Sequence, residues 1–325
     1  MMNAALTPAY GAAEVLRIRR LPVPTPGPGE VLVRVDASAV TAGDLRMRSA
    51  DFGPLLGVVG RLLLGVGGPR RPVQGTMFAG EVVDVGPGVE RFGPGDVVFG
   101  SSVRGGAWAG FLVVPEDGAL ASRPPDVTPD EAAAVPYGAG TAWSFLHDLA
   151  AVQPGERVLV LGGAGGVGRF AIQIARHLGA HVTAVGRAGS ADLMRALGAH
   201  VTVDYRSTDF TAVGATWDVV FDTAGASSFA HSRPVLTPNG RYLTLHAGLR
   251  VALDMLWTRW RRGPRALFGV ASGSSAQTAV IADLLASGAI RPVVAEAYPI
   301  HRIVDAHRRA ESGVHGAVVV HPLAV

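Results

Sequence analysis

Residues 157–169 read RVLVLGGAGGVGR. Arg157–Leu161 is a short aliphatic run, the pattern of a strand buried on both faces. From Val167 to Leu178 the apolar residues Val167, Phe170, Ala171, Ile174, Ala175 and Leu178 recur at spacings of three and four, which is the stripe of an amphipathic helix. Gly179 follows as a stop signal, and His181–Val185 reads as a second strand. A strand, a turn, a helix and a strand therefore surround Gly163-x-Gly165-x-x-Gly168. Glycine is abundant here, at 43 residues, so the triplet means little alone. Its place between a strand and a helix gives it meaning. Gly163 permits a tight turn, Gly165 lets the backbone approach a pyrophosphate, and Gly168 lets the helix pack close. The N–H groups at the start of the helix then face the anion.

The end of the second strand bears on which dinucleotide binds. A ribose 2′-hydroxyl is met by an acid about 20 residues past the turn. The stretch reads Val185-Gly186-Arg187-Ala188-Gly189-Ser190, with no acid before Asp192. Arg187 stands where a cation meets a 2′-phosphate, and Ser190 adds a hydroxyl. The expected cofactor is NADP(H). The alternative for Arg187 is a solvated surface arginine.

Composition narrows the classes. The chain has 325 residues, enough for two domains. No cysteine is present, which excludes disulfides, thiolate metal sites and cysteine nucleophiles. The basic set is made of arginine without lysine, so no lysine Schiff base is available. The net charge is +3 and the arginines are scattered, which gives no stripe for nucleic acid. No run of 18 apolar residues suggests a membrane span, and the first residues lack the signal-peptide pattern, so a cytoplasmic enzyme is expected. The stretch Trp257–Arg265, WTRWRRGPR, is read as a solvated helix end or as a patch for an anionic substrate tail or a membrane surface.

Along the chain, Glu30–Ala37, Gly80–Gly86, Gly95–Gly100 and Gly110–Pro115 are short strands between glycine and proline turns, which suggests a small barrel. From Thr128 the pattern becomes helical. Pro129–Ala134 is a helix capped by Thr128, and Gly140–Ala151 is another. Strands follow at Asp218–Asp222, Arg241–Leu245 and Ala266–Val270 with helical stretches between, as in a doubly wound sheet. The last quarter reads as a helix at Ala276–Ala286, a strand at Val293–Ala295, a helix at Ile303–Glu311 and a strand at Gly316–His321.

With these runs in place the chain resembles the zinc-independent medium-chain dehydrogenase/reductases of the quinone oxidoreductase type, relatives of enoyl reductases. The resemblance rests on YGAAEVLRIRRLPVPTPGPGEVLVRV at 10–35, VTAGDLRMR at 40–48, GTMFAGEVVDVGPGVERFGPGDVVFG at 75–100, PDEAAAVPYGAGTAWSFL at 129–146, VQPGERVLVLGGAGGVG at 152–168 and LGAHVTVDYRSTDF at 197–210. It implies an α/β protein with two domains. A GroES-like β-barrel catalytic domain would span 1–124 and be completed by 273–325. A doubly wound, parallel-sheet Rossmann domain would span 125–272. It also implies a homodimer joined through Ala266–Val270.

The same resemblance implies a set of site residues. Gly165, Gly166 and Val167 would meet the pyrophosphate, Arg187 and Ser190 the 2′-phosphate, and Tyr205 the adenosine. Thr223, Ala224 and Gly225 would lie near the ribose and nicotinamide, and Thr141 under the cofactor. Where zinc relatives carry ligands, this chain has Ser38-Ala39-Val40 and Gly75-Thr76-Met77, so no metal site is expected. Without a Lewis acid, the expected reaction is hydride transfer to an activated C=C bond in a quinone, enone or enoyl substrate with a conjugated carbonyl. A few hydrogen-bond donors suffice for that chemistry. Thr41 and Asp44 sit where the family has Asn and Asp, and Thr shortens the donor. Tyr137 falls where the family's chain passes the nicotinamide. His246, past the strand Arg241–Leu245, lies at the carboxyl edge where ligands bind and could relay a proton. Each has a bland alternative: loop-holding for Asp44, a half-buried core residue for Tyr137, a loop histidine for His246. The rival functions are a specialised biosynthetic enoyl reductase and a nucleotide-binding adaptor without turnover.

Overall fold

The computed structural model describes residues 1–51, 65–246, 248–271 and 273–323. The chain forms two compact units: Met1–Tyr137 with Gly273–Ala286 and Pro292–Val325, and Gly138–Ser272 with Ser287–Arg291. Among the described residues no helix is long and apolar enough to cross a membrane.

The first unit opens with an antiparallel ribbon of β1 (Met2–Leu6) and β2 (Arg17–Leu21). The long β3 (Glu30–Val40) leads into the helix α1 (Ala42–Ser49). Then come β4 (Met77–Val85), β5 (Val97–Ser101), β6 (Phe111–Pro115) and β7 (Leu120–Ser122). The valines of β3 supply the inward face, with Val31, Val33 and Val35 packed against Phe78, Val98 and Leu112. Burying each such side chain stabilises the unit by about 1.5–3 kcal/mol.

β3 is long enough to serve two partners on one side. β6 pairs with its first half, Glu30–Arg34. A late strand, described below, pairs with Ser38–Val40. Register shifts between Leu32 and Val33 and between Val35 and Ala37 bend the strand against β4. Among the described residues this pairing runs as an open path and not as the ring that a small barrel implies.

The capped helix α2 (Pro129–Ala133) packs on β3, β4 and β5. The first unit therefore continues to Tyr137 and past the 124 read from the sequence. Next is α3 (Pro136–Trp143), followed by a π-turn at Ser144–Leu149 in which the Ala150 N–H donates to the Phe145 carbonyl at 2.9 Å. The helix expected over Gly140–Ala151 thus begins at Pro136, where proline's fixed φ suits a first turn, and widens in its second half.

The second unit alternates strand and helix. Its elements are β8 (Arg157–Leu161), α4 (Gly168–His177), β9 (His181–Gly186), α5 (Ala191–Ala196), β10 (Val201–Asp204), β11 (Trp217–Asp222), α6 (Phe229–Ser232), β12 (Leu236–Thr244), α7 (Leu249–Arg259) and β13 (Arg265–Phe268). The six strands are parallel in the order β10-β9-β8-β11-β12-β13. Central strands such as β8 and β11 are buried along nearly their whole length, as their unbroken apolar runs require. The chain reverses direction across the sheet between β8 and β11, so ligands are expected at the carboxyl ends of these two strands. The helix α7 had no readable signal in the sequence. Its N-cap is Gly248 without a side-chain cap, and Leu249, Leu253 and Leu256 on it are exposed.

The chain then returns to the first unit through α8 (Ser275–Ala286), β14 (Val294–Pro299), α9 (Ile303–Glu311) and β15 (Ala317–His321). β15 is the strand that pairs with the end of β3. Ser287–Arg291 stays with the second unit because the Gln173 amide grips the Arg291 backbone, accepting from its N–H at 2.7 Å and donating to its carbonyl at 3.1 Å.

Candidate cofactor and active site

The glycine loop starts one residue earlier than its fingerprint. Gly162 has φ +80°, a conformation that favours glycine. Its carbonyl accepts from the Gly165 N–H at 2.9 Å. The N–H groups of Gly162 and Gly163 both donate to the Val185 carbonyl, at 3.0 and 2.9 Å, which seats the loop on β9. A Cβ at Gly168 would stand 2.1 Å from the Gly162 carbonyl oxygen, so α4 can meet the turn only with glycine there. A Cβ at Gly163 would strike the Met194 sulfur at 2.8 Å, on α5. Gly165 and Gly166 are exposed, and nothing lies within 4 Å of where a Cβ on Gly166 would be. Val167 is buried under the loop at the head of α4. The turn thus leaves open backbone facing outward at the start of a helix, a cradle of the right kind for a diphosphate.

The neighbouring strand carries the second half of the site. β11 ends at Asp222, which is fully buried. One carboxylate oxygen accepts from the N–H groups of Ala224 and Ala226, both at 3.1 Å. The other accepts from the Ser227 N–H at 2.9 Å and the Tyr242 phenol at 3.2 Å. Asp222 therefore shapes the turn Thr223-Ala224-Gly225. Thr223 closes that turn onto the glycine loop, its hydroxyl donating to the Leu161 carbonyl at 2.7 Å. A Cβ at Gly162 would meet the Ala224 methyl at 2.8 Å. The His246 ring lies over Gly225, where an added Cβ would come within 2.9 Å of Cε1 and Nδ1. The structure thus brings together Gly162–Gly168, Thr223–Gly225 and His246 at the carboxyl edge. Thr141 is half-buried on α3.

Arg187 follows β9 and Tyr205 follows β10, and both are exposed. The Arg187 Nε donates to the Tyr205 hydroxyl at 3.0 Å. That hydrogen bond holds the phenol below its ordinary range, with Arg206 adding to the effect. Ser190 is not part of this exposed pair. It is 1% exposed and lies in the turn that starts α5, so its hydroxyl is turned into the fold.

In the first unit, Thr41 and Asp44 form the capping box of α1. The Thr41 hydroxyl accepts from the Asp44 N–H at 3.2 Å and donates to an Asp44 carboxylate oxygen at 2.6 Å. The same oxygen accepts from the Thr41 N–H at 2.8 Å, and the other accepts from the Thr76 hydroxyl at 3.0 Å. Burial pushes the Asp44 carboxyl up, opposed by the hydrogen bonds from Thr41 and Thr76. The proton of Thr41 is spent on Asp44, which argues against Thr41 as a donor to substrate. Tyr137 is half-buried with its ring beside Gly43, and burial raises its phenol. A cavity of about 320 Å³ opens beside Asp44 and Thr76, lined also by Tyr10, Met47, Gln74 and Val103. Residues 52–68 are apolar in sequence, which assigns them to a wall of the substrate pocket; they fall largely outside the described residues.

The Trp257–Arg265 stretch sits at the end of α7. Trp257 lies between two guanidinium groups, Arg233 at 5.2 Å and Arg261 at 4.8 Å from the ring centre. Trp260 is 80% exposed. Gly162 and Asp222 escaped the sequence reading. The first was legible as an extra glycine before the fingerprint. The second was legible as an acid closing an apolar strand ahead of the small-residue run Thr223–Ser227.

Residues 27–124 match the alcohol dehydrogenase GroES-like domain family, and residues 197–320 match a family described as zinc-binding dehydrogenase. Human mitochondrial NAD(P)H oxidoreductase RTN4IP1 is 31% identical, over 96% of this chain and 87% of its own length. The chloroplastic quinone-oxidoreductase QR1 of Triphysaria versicolor is 28% identical over 99% of each chain. Among solved structures, the quinone oxidoreductase of Coxiella burnetii aligns with a TM-score of 0.85 at 25% identity, covering 98% of this chain and 99% of that one.

Proposed function

Because this chain belongs to the medium-chain dehydrogenase/reductase family, beside the quinone oxidoreductases, we propose that it is an NADPH-dependent reductase of activated C=C bonds. The observation that carries the reading is the glycine loop at the switch point with the Arg187–Tyr205 pair near the second strand's end. The donor set fits a phosphorylated dinucleotide: exposed backbone at Gly166, at the head of the helix, for the diphosphate, and a guanidinium and a phenol for the 2′-phosphate. The reduced nicotinamide supplies a hydride to an electron-poor alkene carbon.

The protein's own part is binding, orientation and proton supply. Asp222 holds the turn Thr223–Gly225 in register with the glycine loop. Asp44 and Thr41 fix the start of α1. Tyr137, a neutral phenol that burial raises further, is the group assigned to hydrogen-bond the acceptor's carbonyl oxygen as charge develops there. A preorganised donor of this kind is worth about 2.7–4 kcal/mol.

The reading is of a zinc-free enzyme. The resemblance puts the ligands of zinc relatives near Ser38–Val40 and Gly75–Met77. The Ser38 hydroxyl donates to the Met77 carbonyl at 2.8 Å, and Thr76 donates to Asp44. Neither is a thiolate, and the chain has no cysteine. A conjugated acceptor needs no Lewis acid because its charge spreads to an enolate oxygen. The reading also includes a homodimer joined at β13 and a cytoplasmic location, which cell fractionation tests.

The test is NADPH and NADH oxidation against quinones, enones and enoyl thioesters, with Arg187→Ala beside the wild type. The expected result is turnover of at least one class with NADPH preferred. The variant should lose about 10- to 100-fold of that preference, equivalent to roughly 1.5–3 kcal/mol for a charge-assisted hydrogen bond. Absence of binding to both dinucleotides would sink the proposal.

A further inference from the structure

Two arginines are buried among the described residues, Arg48 and Arg169. They are treated differently by their surroundings. Arg48 is met by the Glu311 carboxylate, the His307 ring at 3.1 Å and the Gly11 carbonyl at 3.1 Å. Arg169 is 5% exposed, and its guanidinium makes one hydrogen bond, from Nη1 to the Ala164 carbonyl at 3.3 Å. Among the described residues no carboxylate pairs with it. Burial lowers the group to about 10, so it still carries its charge at pH 7. A buried charge without a counter-charge is costly and is normally paired or removed.

The position of this cation is specific. Arg169 is the second residue of α4, directly after Gly168, and Ala164 is the loop residue between Gly163 and Gly165. The guanidinium therefore lies against the arch itself, one residue from the exposed Gly165 and Gly166. Five donors on a planar fork, with one used on a carbonyl, leave it able to meet an anion. The only anion that the preceding reading brings to this arch is the diphosphate.

We propose that Arg169 is a charge-pairing residue for the diphosphate of the bound dinucleotide, held unpaired in the free protein and neutralised when the ligand seats on the glycine loop. The inference rests on the cofactor reading above and divides the labour of recognition. Arg169 serves the diphosphate that NADH and NADPH share, and Arg187 serves the 2′-phosphate that only NADPH has.

Titrations of NADPH and NADH into the full-length wild type and the variants Arg169→Leu, Arg169→Lys and Arg187→Ala test it, with the melting temperature of each free protein measured alongside. Arg169→Leu should weaken both dinucleotides at least 10-fold and leave their ratio within twofold of wild type. Its free protein should melt no lower than wild type, since a buried unpaired charge has been removed. Arg169→Lys should recover part of the affinity, and Arg187→Ala should change the ratio. Unchanged binding in Arg169→Leu while the wild type binds both would overturn this inference and leave the proposed function standing. So would a loss confined to NADPH, or a drop in free-protein melting temperature that lysine does not rescue. A wild type that binds neither dinucleotide would overturn both.

Discussion

Asp222 shows how one side chain can organise a site without touching the chemistry. The buried carboxylate accepts from three part-buried backbone N–H groups and one buried phenol. Charge-assisted bonds of this sort are worth about 1.5–3 kcal/mol each when the partners would otherwise be left buried and unsatisfied. An Asp222→Asn substitution keeps the volume but turns one acceptor into a donor facing N–H or O–H groups. The expected result is a loss of about 2–3 kcal/mol in urea unfolding, together with weaker binding of both dinucleotides. An unchanged unfolding midpoint would show that the turn holds itself. Glycine makes the complementary case at this scale. Gly168 is required by the nearness of the Gly162 carbonyl, which the fingerprint spacing made legible. The need at Gly162 for a positive φ became visible only with the fold in hand.

At the scale of elements, α2 illustrates a legible helix and α7 an illegible one. Thr128 and Glu131 form a capping box, and Pro129 occupies the first turn. These are local signals that a sequence displays. α7 starts from an uncapped glycine and exposes three leucines while Met255 packs on the core, so its apolar residues mark no single face. α2 is also tied to β15, where the His321 Nε2 meets the Asp130 carboxylate at 2.7 Å. That hydrogen bond, with help from Asp36, holds the imidazole above its ordinary 6.5. The stabilisation is therefore complete below about pH 6.5 and is lost as pH rises through the folded value. Both side chains are about one-third exposed, so solvent screens the pair to under about 1 kcal/mol. Melting curves from pH 6 to 9 should show wild-type stability falling relative to Asp130→Asn. Parallel curves would remove the pair from the stability balance.

At the scale of the whole molecule, the six-stranded sheet ends at β13, whose outer edge has no strand beside it among the described residues. Unpaired edges are normally covered or charged, and Val270 just beyond this one is 80% exposed. The proposed dimer would cover it by edge-to-edge pairing. Light scattering should give twice the chain mass for wild type, and Val270→Arg should shift the protein toward a single-chain mass. A wild type at single-chain mass would rule the dimer out.

The sequence by itself determined the strand–turn–helix unit, the alternation of strand and helix that follows it, and the position of Arg187 just past the second strand. Those rest on spacing along the chain, where short-range sterics and periodicity act. The tertiary structure alone decided that Thr41 and Asp44 spend their hydrogen bonds on a helix cap and on Thr76, 32 residues away. It also decided that Ser190 turns inward and that Thr223 locks onto a carbonyl 62 residues earlier. The lone charge of Arg169 belongs with these. Burial and the supply of counter-charges depend on which distant segments come together, and local sequence pattern does not encode that.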